Sequence, residues 1–207
     1  MTATAFILAA GFGTRLRPLT EVVPKPLLPV CGIPLMSYTL ALCARHGLTE
    51  VIVNAHWLSE QLLPWEGVHD GVNVTLSVES PDILGTGGGL RAVRDRLSDR
   101  FAVLNGDILT DIDLTALLAA VPEGGGAMAL RVYPDGKRPY GIVAADENGN
   151  VVQMKDIARA EPFGEVAIDT HFSGLHAMDR AALEHAEDGF SCIVRTAYKA
   201  LVPAHRV

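Results

Sequence analysis

Short apolar runs alternate with amphipathic segments through the first half of the chain. The apolar runs occupy residues 5–10, 51–55 and 101–105, and the segment at residues 74–79 is interpreted as a further strand. The segments with helical spacing occupy residues 35–46, 58–63, 85–97 and 114–121. Continuous apolar runs of this length are typical of strands that are buried on both faces. Strands that alternate with helices predict βαβ units, and therefore a parallel sheet covered by helices.

The pattern changes after three consecutive glycines at residues 124–126. Further strand-like segments, joined by turns, occupy residues 127–133, 140–145, 151–155 and 171–178. Short helical segments occupy residues 179–187 and 193–202. We expect this second half to add strands to the sheet of the first half. The chain is therefore interpreted as one α/β domain, a mixed and mainly parallel sheet sandwiched by helices.

Composition and charge narrow the class of protein. With 207 residues, 49% of them hydrophobic and 20% charged, the chain has the composition of a compact domain. Its net charge of −7 argues against a nucleic-acid binder, which needs dense cationic patches. No run approaches the roughly 18 apolar residues of a membrane helix, and residues 5–10 are too short for a secretory leader. The three cysteines include no CxxC pair. We therefore expect free thiols, and a cytoplasmic protein without membrane or nucleic-acid partners.

A glycine loop follows the first predicted strand. Gly11 and Gly13 stand at the carboxyl end of that strand, where open α/β sheets bind ligands, and their backbone N–H groups can approach an anion closely. Arg15 and Arg17 add cations suited to phosphate, and Lys25 is held between two prolines. A lone GxG is also common in ordinary tight turns, and neither GxGxxG nor GxxxxGK[ST] occurs. Spacing alone therefore favours phosphate binding without proving it.

The sequence GFGTRLRPLT, followed by PKPLLPV, resembles the signature of the sugar-1-phosphate nucleotidyltransferases, also called NDP-sugar pyrophosphorylases. The resemblance implies a Rossmann-like fold, and the reaction of a nucleoside triphosphate with a sugar 1-phosphate to give an NDP-sugar and pyrophosphate. It implies that Arg15 holds the triphosphate and that Lys25 contacts the reacting phosphates. The nucleotide-binding positions that it implies in this loop are Leu8, Ala10, Gly11, Gly13 and Thr14.

Asp107 is the candidate metal ligand. It lies two residues beyond a buried strand, and a carboxylate beside phosphates requires a bridging cation such as Mg²⁺. The family has a Gly-Asp at this place whose aspartate binds Mg²⁺, and Gly106-Asp107 matches it. The resemblance therefore implies that Arg15, Lys25 and Asp107 are the catalytic residues and that Mg²⁺ is the cofactor.

The triplet Asp111-Ile112-Asp113 supports a competing class. Glycosyltransferases that use nucleotide-sugar donors bind their metal through such a DxD motif. However, Asp113 immediately precedes a helical segment and is expected to be its N-cap. The triplet also leaves the glycine loop unexplained.

The segment SVESPDILGTGGGL predicts the nucleobase site. Glycines at a helix start are costly, which suggests that small residues are needed there, for example to let a base lie against the backbone. The family has a similar segment at its nucleotide site, which implies roles for Gly85, Thr86 and Gly87. Glu79 is the candidate base reader. Its carboxylate could accept two hydrogen bonds from guanine but one from uracil, which mildly favours guanine.

The sugar side is less well defined by the sequence. The family has strands that line the sugar, and the segments at Tyr140-Gly141 and Ser173-Gly174 resemble them. The family also has a Glu-Lys-Pro after the next strand, and here the sequence around Asp156 stands in its place. The resemblance therefore implies Gly141, Asp156 and Ser173 as sugar-binding residues, with the family's lysine missing or displaced.

The resemblance divides the domain into a nucleotide-binding half, residues 1–123, and a sugar-binding half, residues 124–207. The second half looks short, because the family's Trp-x-Asp-x-Gly-Thr segment with a second metal ligand has no match. Weakened metal binding is one expectation. Within the family, short mannose-1-phosphate guanylyltransferases and N-acetylmuramate-1-phosphate uridylyltransferases look most similar. A non-catalytic protein that binds a nucleotide or nucleotide sugar stays open as an alternative.

Overall fold

The computed structural model describes residues 3–132, 141–159 and 168–207. Its strands are β1 (Thr4–Leu8), β2 (Pro29–Val30), β3 (Ile33–Pro34), β4 (Glu50–Ala55), β5 (Gly67–His69), β6 (Val72–Val78), β7 (Arg100–Asn105), β8 (Gly126–Val132), β9 (Ile142–Ala145), β10 (Val151–Met154), β11 (Ile157–Ala158) and β12 (Ile168–Asp179). Its α-helices are α1 (Leu35–Arg45), α2 (Gly85–Ala92), α3 (Leu114–Ala119) and α4 (Lys199–Leu201).

Within the described residues, ten strands form one sheet in the order β11-β10-β9-β12-β7-β1-β4-β6-β5, with β8 paired to β12. The centre of the sheet is parallel, because β1 pairs in parallel with β4 and β7, and β4 with β6. The chain adds strands on one side of β1 and then crosses over to place β7 on its other side. β12 pairs antiparallel with β7 and attaches the later strands to this centre.

The strand β1 shows why the sheet must be covered on both faces. Ala5 and Ile7 belong to one core cluster, under α1 and α3, whereas Phe6 belongs to the opposite cluster, under α2 and α4. Successive side chains of a strand point to opposite faces, so a continuous apolar run fills both cores at once. The sandwich predicted from the apolar runs is therefore the observed one.

The helical segments are shorter than their patterns predict. The predicted helix at 85–97 ends at Ala92 and continues as a separate 3-10 turn, Arg94–Arg96. The predicted helix at 58–63 is instead two 3-10 turns, Ser59–Gln61 and Leu63–Trp65, because Pro64 cannot donate a helical hydrogen bond. The predicted helix at 193–202 begins with a π-turn, Val194–Tyr198.

Some expectations of the sequence fall at the edges of what the structure describes. The predicted strands at 127–133 and 140–145 include residues 133 and 140, which lie outside the described residues.

Within the described ranges, no helix combines the length and the apolar character that a bilayer crossing needs. Cys31, Cys43 and Cys192 are all free thiols.

A buried polar pair lies between β12 and the C-terminal helical turns. His176 and Tyr198 share a hydrogen bond of 2.7 Å between Nδ1 and the phenolic oxygen, and both side chains are buried. Burial lowers the pKa of His176 to about 3, because the imidazolium would lose its hydration. Burial raises the pKa of Tyr198 for the same reason. The pair is therefore neutral at physiological pH.

This burial predicts a specific acid sensitivity. The folded pKa of His176 lies below the ordinary histidine value, so the unfolded state binds more protons between the two values and stability falls as the pH falls. Between about pH 7.5 and about pH 5, we expect His176 to account for a loss of about 2 kcal/mol in unfolding free energy. Urea unfolding of the wild type and of His176→Gln at both pH values measures this loss, which the variant should lack.

The exposed His185 provides the matched control. His185→Gln should keep the pH dependence of the wild type. If His176→Gln also kept it, the neutral buried state of His176 would be wrong.

Candidate functional site

A cleft of about 430 Å³ opens at the carboxyl ends of β1 and β7. The direction in which strands are added reverses between these two neighbours, and open α/β sheets bind ligands at such a point. The cleft is lined by Leu8, Ala9, Ala10, Gly11, Gly13, Thr14, Arg15, Leu16, Lys25, Pro26, Asn54, Ile83, Gly85, Thr86, Asn105, Gly106 and Asp107. Most of the predicted nucleotide-binding residues and all three predicted catalytic residues therefore lie together.

The glycine loop has one fixed glycine and one open glycine. Gly13 has a φ of 61°, and a Cβ there would lie 2.7 Å from Thr20 Cγ2. The Thr20 hydroxyl donates to the Gly13 carbonyl at 2.8 Å, and the Trp57 indole N–H donates to the Thr20 carbonyl at 2.7 Å. Gly11, in contrast, is exposed, and a Cβ there would meet no atom within 4 Å. The loop is thus anchored behind while its Gly11 backbone stays accessible.

Two cations and one carboxylate converge at the mouth of this cleft. Arg15 is exposed and makes no hydrogen bond or ion pair within the described part of the chain. Lys25 Nζ forms an ion pair with Asp107 Oδ2, and their side chains are 26% and 25% exposed. The two groups come from opposite sides of the cleft, from the 3-10 turn Lys25–Leu27 and from the segment after β7. The arrangement offers positive charge to a phosphate chain.

Asp107 is a single carboxylate at this place. No three His, Cys, Asp or Glu residues in the described ranges come together as a metal site. A cation at Asp107 would therefore need ligands from a bound molecule, and phosphate oxygens are suitable ones. The residues present fit a divalent ion that enters with a nucleotide.

The structure separates the two aspartates of the DxD triplet. Asp113 Oδ1 accepts a hydrogen bond of 2.9 Å from the Ala116 N–H, which caps α3 and lowers the pKa of Asp113. The predicted N-cap is confirmed. Asp111 lines a second groove instead. The triplet therefore does not present two carboxylates to one ion.

The glycines of α2 have a reason that the sequence did not reveal. A Cβ on Gly88 would lie 1.8 Å from the Gly189 carbonyl oxygen, and one on Gly87 would lie 2.5 Å from Ser191 Oγ. The Gly87 N–H donates to the Ser191 carbonyl at 2.9 Å. Gly87 and Gly88 thus leave space for the backbone of residues 189–193, which accounts for their small size. Gly85 and Thr86 line the cleft, whereas Gly87 is buried against this segment.

Thr86 contacts both the cleft and the C-terminal segment. Its side chain lines the cleft, and its Oγ1 accepts a hydrogen bond of 2.9 Å from the Ile193 N–H. The C-terminal segment is therefore tied directly to the wall of the cleft.

Glu79, the predicted base reader, lies behind the wall of the cleft and is only 4% exposed. Its two carboxylate oxygens accept hydrogen bonds from Asn54 Nδ2 and from the Leu84 N–H, both at 2.7 Å. The carboxylate thus faces the protein in this structure and not the cleft.

A second groove of about 980 Å³ continues from the cleft along β8 and β12. The two share Leu8, Arg15, Leu16, Lys25, Thr86, Asn105 and Asp107. Of the predicted sugar-binding residues, Ser173 lines this groove, although its hydroxyl donates to the Ala129 carbonyl at 2.8 Å. Gly141 and Asp156 are exposed and line neither the cleft nor the groove. The structure does not bring these two to the site.

Several residues that line the site were not predicted from the sequence, among them Asn54 and Arg131. Asn54 is polar, 2% exposed and placed inside the apolar run of β4, and this interruption of the run was an available signal. Arg131 lines the second groove from β8. No motif marks Arg131, because its position depends on how β8 and β12 pair.

Comparison with known proteins decides the family. A family model described as nucleotidyl transferase matches residues 4–156. The chain belongs to the nucleotidyl transferase family. This match covers every residue that lines the cleft, including the glycine loop, Lys25 and Asp107.

Curated members of the nucleotidyl transferase family align with most of the chain. A UTP–glucose-1-phosphate uridylyltransferase of Synechocystis sp. is 31% identical over 202 residues, which cover 89% of this chain and 51% of that protein. An N-acetylmuramate α-1-phosphate uridylyltransferase of Neisseria meningitidis serogroup B is 45% identical over 125 residues, covering 58% and 54%. A mannose-1-phosphate guanylyltransferase of Mycobacterium tuberculosis is 32% identical over 181 residues, covering 85% and 50%. The chain spans about half the length of these relatives.

Solved structures show the same fold. The crystal structure of apo UDP-glucose pyrophosphorylase superposes with a TM-score of 0.78 and 15% identity, covering 100% of this chain and 89% of that one. HddC from Yersinia pseudotuberculosis, complexed with GMP-PN, superposes with a TM-score of 0.73 and 20% identity, covering 93% and 83%. The predicted α/β fold is confirmed.

The packing of α2 predicts unequal responses to two glycine substitutions. Gly88→Ala places a methyl group against the Gly189 carbonyl, which is backbone and cannot turn aside. We expect it to lower the unfolding free energy by about 3 kcal/mol. Gly11→Ala meets no neighbouring atom and should change stability by less than about 0.5 kcal/mol. Chemical denaturation of both variants measures the difference, and equal stabilities would contradict this account of the glycine run.

Proposed function

We propose that this protein transfers a nucleotidyl group from a nucleoside triphosphate to a sugar 1-phosphate. A phosphate oxygen of the sugar 1-phosphate attacks the α-phosphorus, the bond between that phosphorus and the bridging oxygen of the β-phosphate breaks, and pyrophosphate leaves with the electron pair. The observation that carries the proposal is the convergence of Arg15, Lys25 and Asp107 with the open Gly11 backbone in one cleft. The family of the chain supports the same reaction.

The proposed chemistry needs positioning and charge, and no covalent intermediate. The backbone at Gly11 and Gly13 would hold the triphosphate, together with the guanidinium of Arg15, which has no partner among the described residues. Lys25 would stabilise the charge that develops on the α-phosphate. Because Lys25 is already paired with Asp107 across the cleft, its ammonium group is held near the place where that charge appears.

Asp107 would also hold a divalent cation, together with phosphate oxygens of the nucleotide. We propose Mg²⁺, as the family resemblance implies. When bound, the ion supplies positive charge that offsets the charge of the phosphates. This role fits the quarter-exposed Asp107 carboxylate, which faces the cleft beside a cation.

The second groove is the proposed sugar site. It continues from the cleft at Lys25 and Asp107, so a sugar lying in it would have its phosphate beside the reacting groups. This arrangement supports one domain with a nucleotide-binding half, residues 1–123, and a sugar-binding half, residues 124–207. The three free cysteines support the expectation of a reducing, cytoplasmic location.

Arg131 indicates which sugars the groove favours. The residue is exposed, and its side chain makes no hydrogen bond or ion pair within the described residues although it lines the groove. A guanidinium group matches a carboxylate with two parallel hydrogen bonds. We therefore favour a sugar 1-phosphate that carries a carboxylate, as N-acetylmuramate does, over a neutral one such as mannose. A relative that is 45% identical over 125 residues is named for N-acetylmuramate 1-phosphate.

The relative that is named for N-acetylmuramate 1-phosphate is a uridylyltransferase, which supports a uridine nucleotide as the substrate. The carboxylate of Glu79 is held by Asn54 and Leu84, which removes the argument for guanine that its two oxygens offered. We therefore favour UTP over GTP. Pyrophosphate release from UTP and a sugar 1-phosphate tests this reading. Sugar transfer to an acceptor would identify a glycosyltransferase instead, and binding without turnover a non-catalytic binding protein.

The proposed roles predict the effect of removing the two charged groups. Lys25→Ala and Asp107→Ala should each lower kcat/KM for pyrophosphate release by about a hundredfold or more, because each removes charge stabilisation from the transition state. The melting temperature should change little, because a quarter-exposed ion pair contributes about 1 kcal/mol or less.

The exposed residues Lys199 and Asp95 give charge-matched controls. Lys199→Ala and Asp95→Ala should retain the turnover of the wild type. Near-normal turnover in both Lys25→Ala and Asp107→Ala would mean that these roles are wrong.

The proposed role of Arg131 predicts a change in selectivity. Arg131→Ala should lower kcat/KM for N-acetylmuramate 1-phosphate by about tenfold or more, because it removes charge-assisted hydrogen bonds. N-acetylglucosamine 1-phosphate lacks the 3-O-lactyl group that bears the carboxylate, and its kcat/KM should change less than about twofold. Steady-state kinetics with both sugars, and with Arg96→Ala as an exposed control, measure the ratio. An equal loss for both sugars would contradict carboxylate recognition.

A further inference from the structure

A buried chain of three hydrogen bonds runs beneath the floor of the cleft. The Ala9 N–H donates to Asn54 Oδ1 at 2.7 Å, and Asn54 Nδ2 donates to Glu79 Oε1 at 2.7 Å. The Leu84 N–H donates to the second oxygen, Glu79 Oε2, at 2.7 Å. Asn54 is 2% exposed and Glu79 is 4% exposed. These bonds join the ends of β1, β4 and β6 to the residue before α2.

The two ends of this chain lie on different walls of the cleft. Ala9 begins the segment that leads into Gly11 and Gly13, which is the proposed phosphate side. Leu84 immediately precedes Gly85 and Thr86 on the other wall. The distance between the walls therefore depends on Asn54 and Glu79.

The direction of every hydrogen bond in the chain is fixed. Backbone N–H groups at both ends can only donate, so Asn54 must turn its oxygen to Ala9 and its amide nitrogen to Glu79. Glu79 therefore faces a donor at each oxygen, and a carboxylate is the side-chain group of this size that accepts at both. A glutamine at residue 79 would oppose one donor with another.

The surroundings leave no room for another arrangement. A Cβ on Gly89 would lie 2.8 Å from Glu79 Oε1 and 3.2 Å from Asn54 Nδ2. The Glu79 backbone is also held, because its N–H donates to the Ala55 carbonyl at 2.7 Å. A buried polar group in such a place keeps its partners or loses stability.

We propose that Glu79 and Asn54 are positioning residues that set the spacing of the nucleotide cleft, and that Glu79 does not read the base. The inference rests on the proposed function for the identity of the ligand, a nucleoside triphosphate. Because each side chain is hydrogen-bonded to the other, the two residues act as one unit. The spacing of the cleft then depends on the match of donors and acceptors between them, and not on either side chain alone.

Three variants test this unit. Glu79→Gln creates a clash between two donors, and Asn54→Asp places two carboxylates in contact. The double variant, Asn54→Asp with Glu79→Gln, restores every bond with its direction reversed between the two side chains: residue 54 accepts from Ala9 and from the glutamine amide, and the glutamine oxygen accepts from Leu84. It also has the same formal charge as the wild type.

Each single variant should weaken UTP binding, measured by calorimetry, by roughly tenfold, and the double variant should recover to within about threefold of the wild type. Amide hydrogen exchange of Ala9 and Leu84 in the ligand-free protein should accelerate in both single variants and slow again in the double variant. The ratio of UTP to GTP affinity should stay constant in all three, because none of them touches the base.

Failure of this inference is distinct from failure of the proposed function. A wild type that binds UTP but releases no pyrophosphate would contradict the proposed function and leave the binding and exchange tests valid. If no nucleotide binds the wild type, the exchange rates of Ala9 and Leu84 still decide whether the pair acts as one unit. A double variant no better than the single ones, or a UTP-to-GTP ratio that changes with Glu79→Gln alone, would overturn the inference.

Discussion

The parallel pairing of β1 with both β4 and β7 is the constraint on which the rest of the structure depends. It places Leu8 beside Asn54 on one side and beside Asn105 on the other. The loops that leave β1 and β7 must therefore emerge next to each other at one edge of the sheet. Lys25 and Asp107 meet across that edge although 82 residues separate them in the chain.

A second constraint is the close approach of the C-terminal segment to α2. Helix α2 is poor in side chains, so its stability depends on the backbone of residues 189–193, which lies where side chains would otherwise stand. The hydrogen bond from Ile193 to Thr86 completes this contact. Thr86, which lines both the cleft and the second groove, is thereby joined to the C-terminal part of the chain.

The sequence was sufficient for the parts of the molecule that depend on local pattern. Continuous apolar runs marked the central strands, because a strand buried on both faces has no polar alternation. The glycine loop and Asp107 could be placed because they follow directly on those strands, and Lys25 because it lies in the segment that resembles the family signature. The capping role of Asp113 was equally local, since an N-cap bonds to a residue three positions later.

Other features depended on partners far away in the chain. The glycines of α2 predicted a small-residue requirement correctly, but the group that needs the space lies about a hundred residues later. The direction of Glu79 was decided by Asn54, which is buried in a different strand. Gly141 and Asp156 were placed by resemblance alone, and both lie at the ends of strands that line neither cavity. Long-range pairing, which no local pattern encodes, accounts for these differences.

The anchor of the glycine loop has a practical consequence. The chain contains two tryptophans, and one of them, Trp57, is hydrogen-bonded to the segment that fixes Gly13. Phe12, between the two loop glycines, packs against the same indole with ring centres 5.6 Å apart. An indole in this position senses the polarity and the movement of the glycine loop, so the intrinsic fluorescence of the protein would report the binding of a molecule in the cleft.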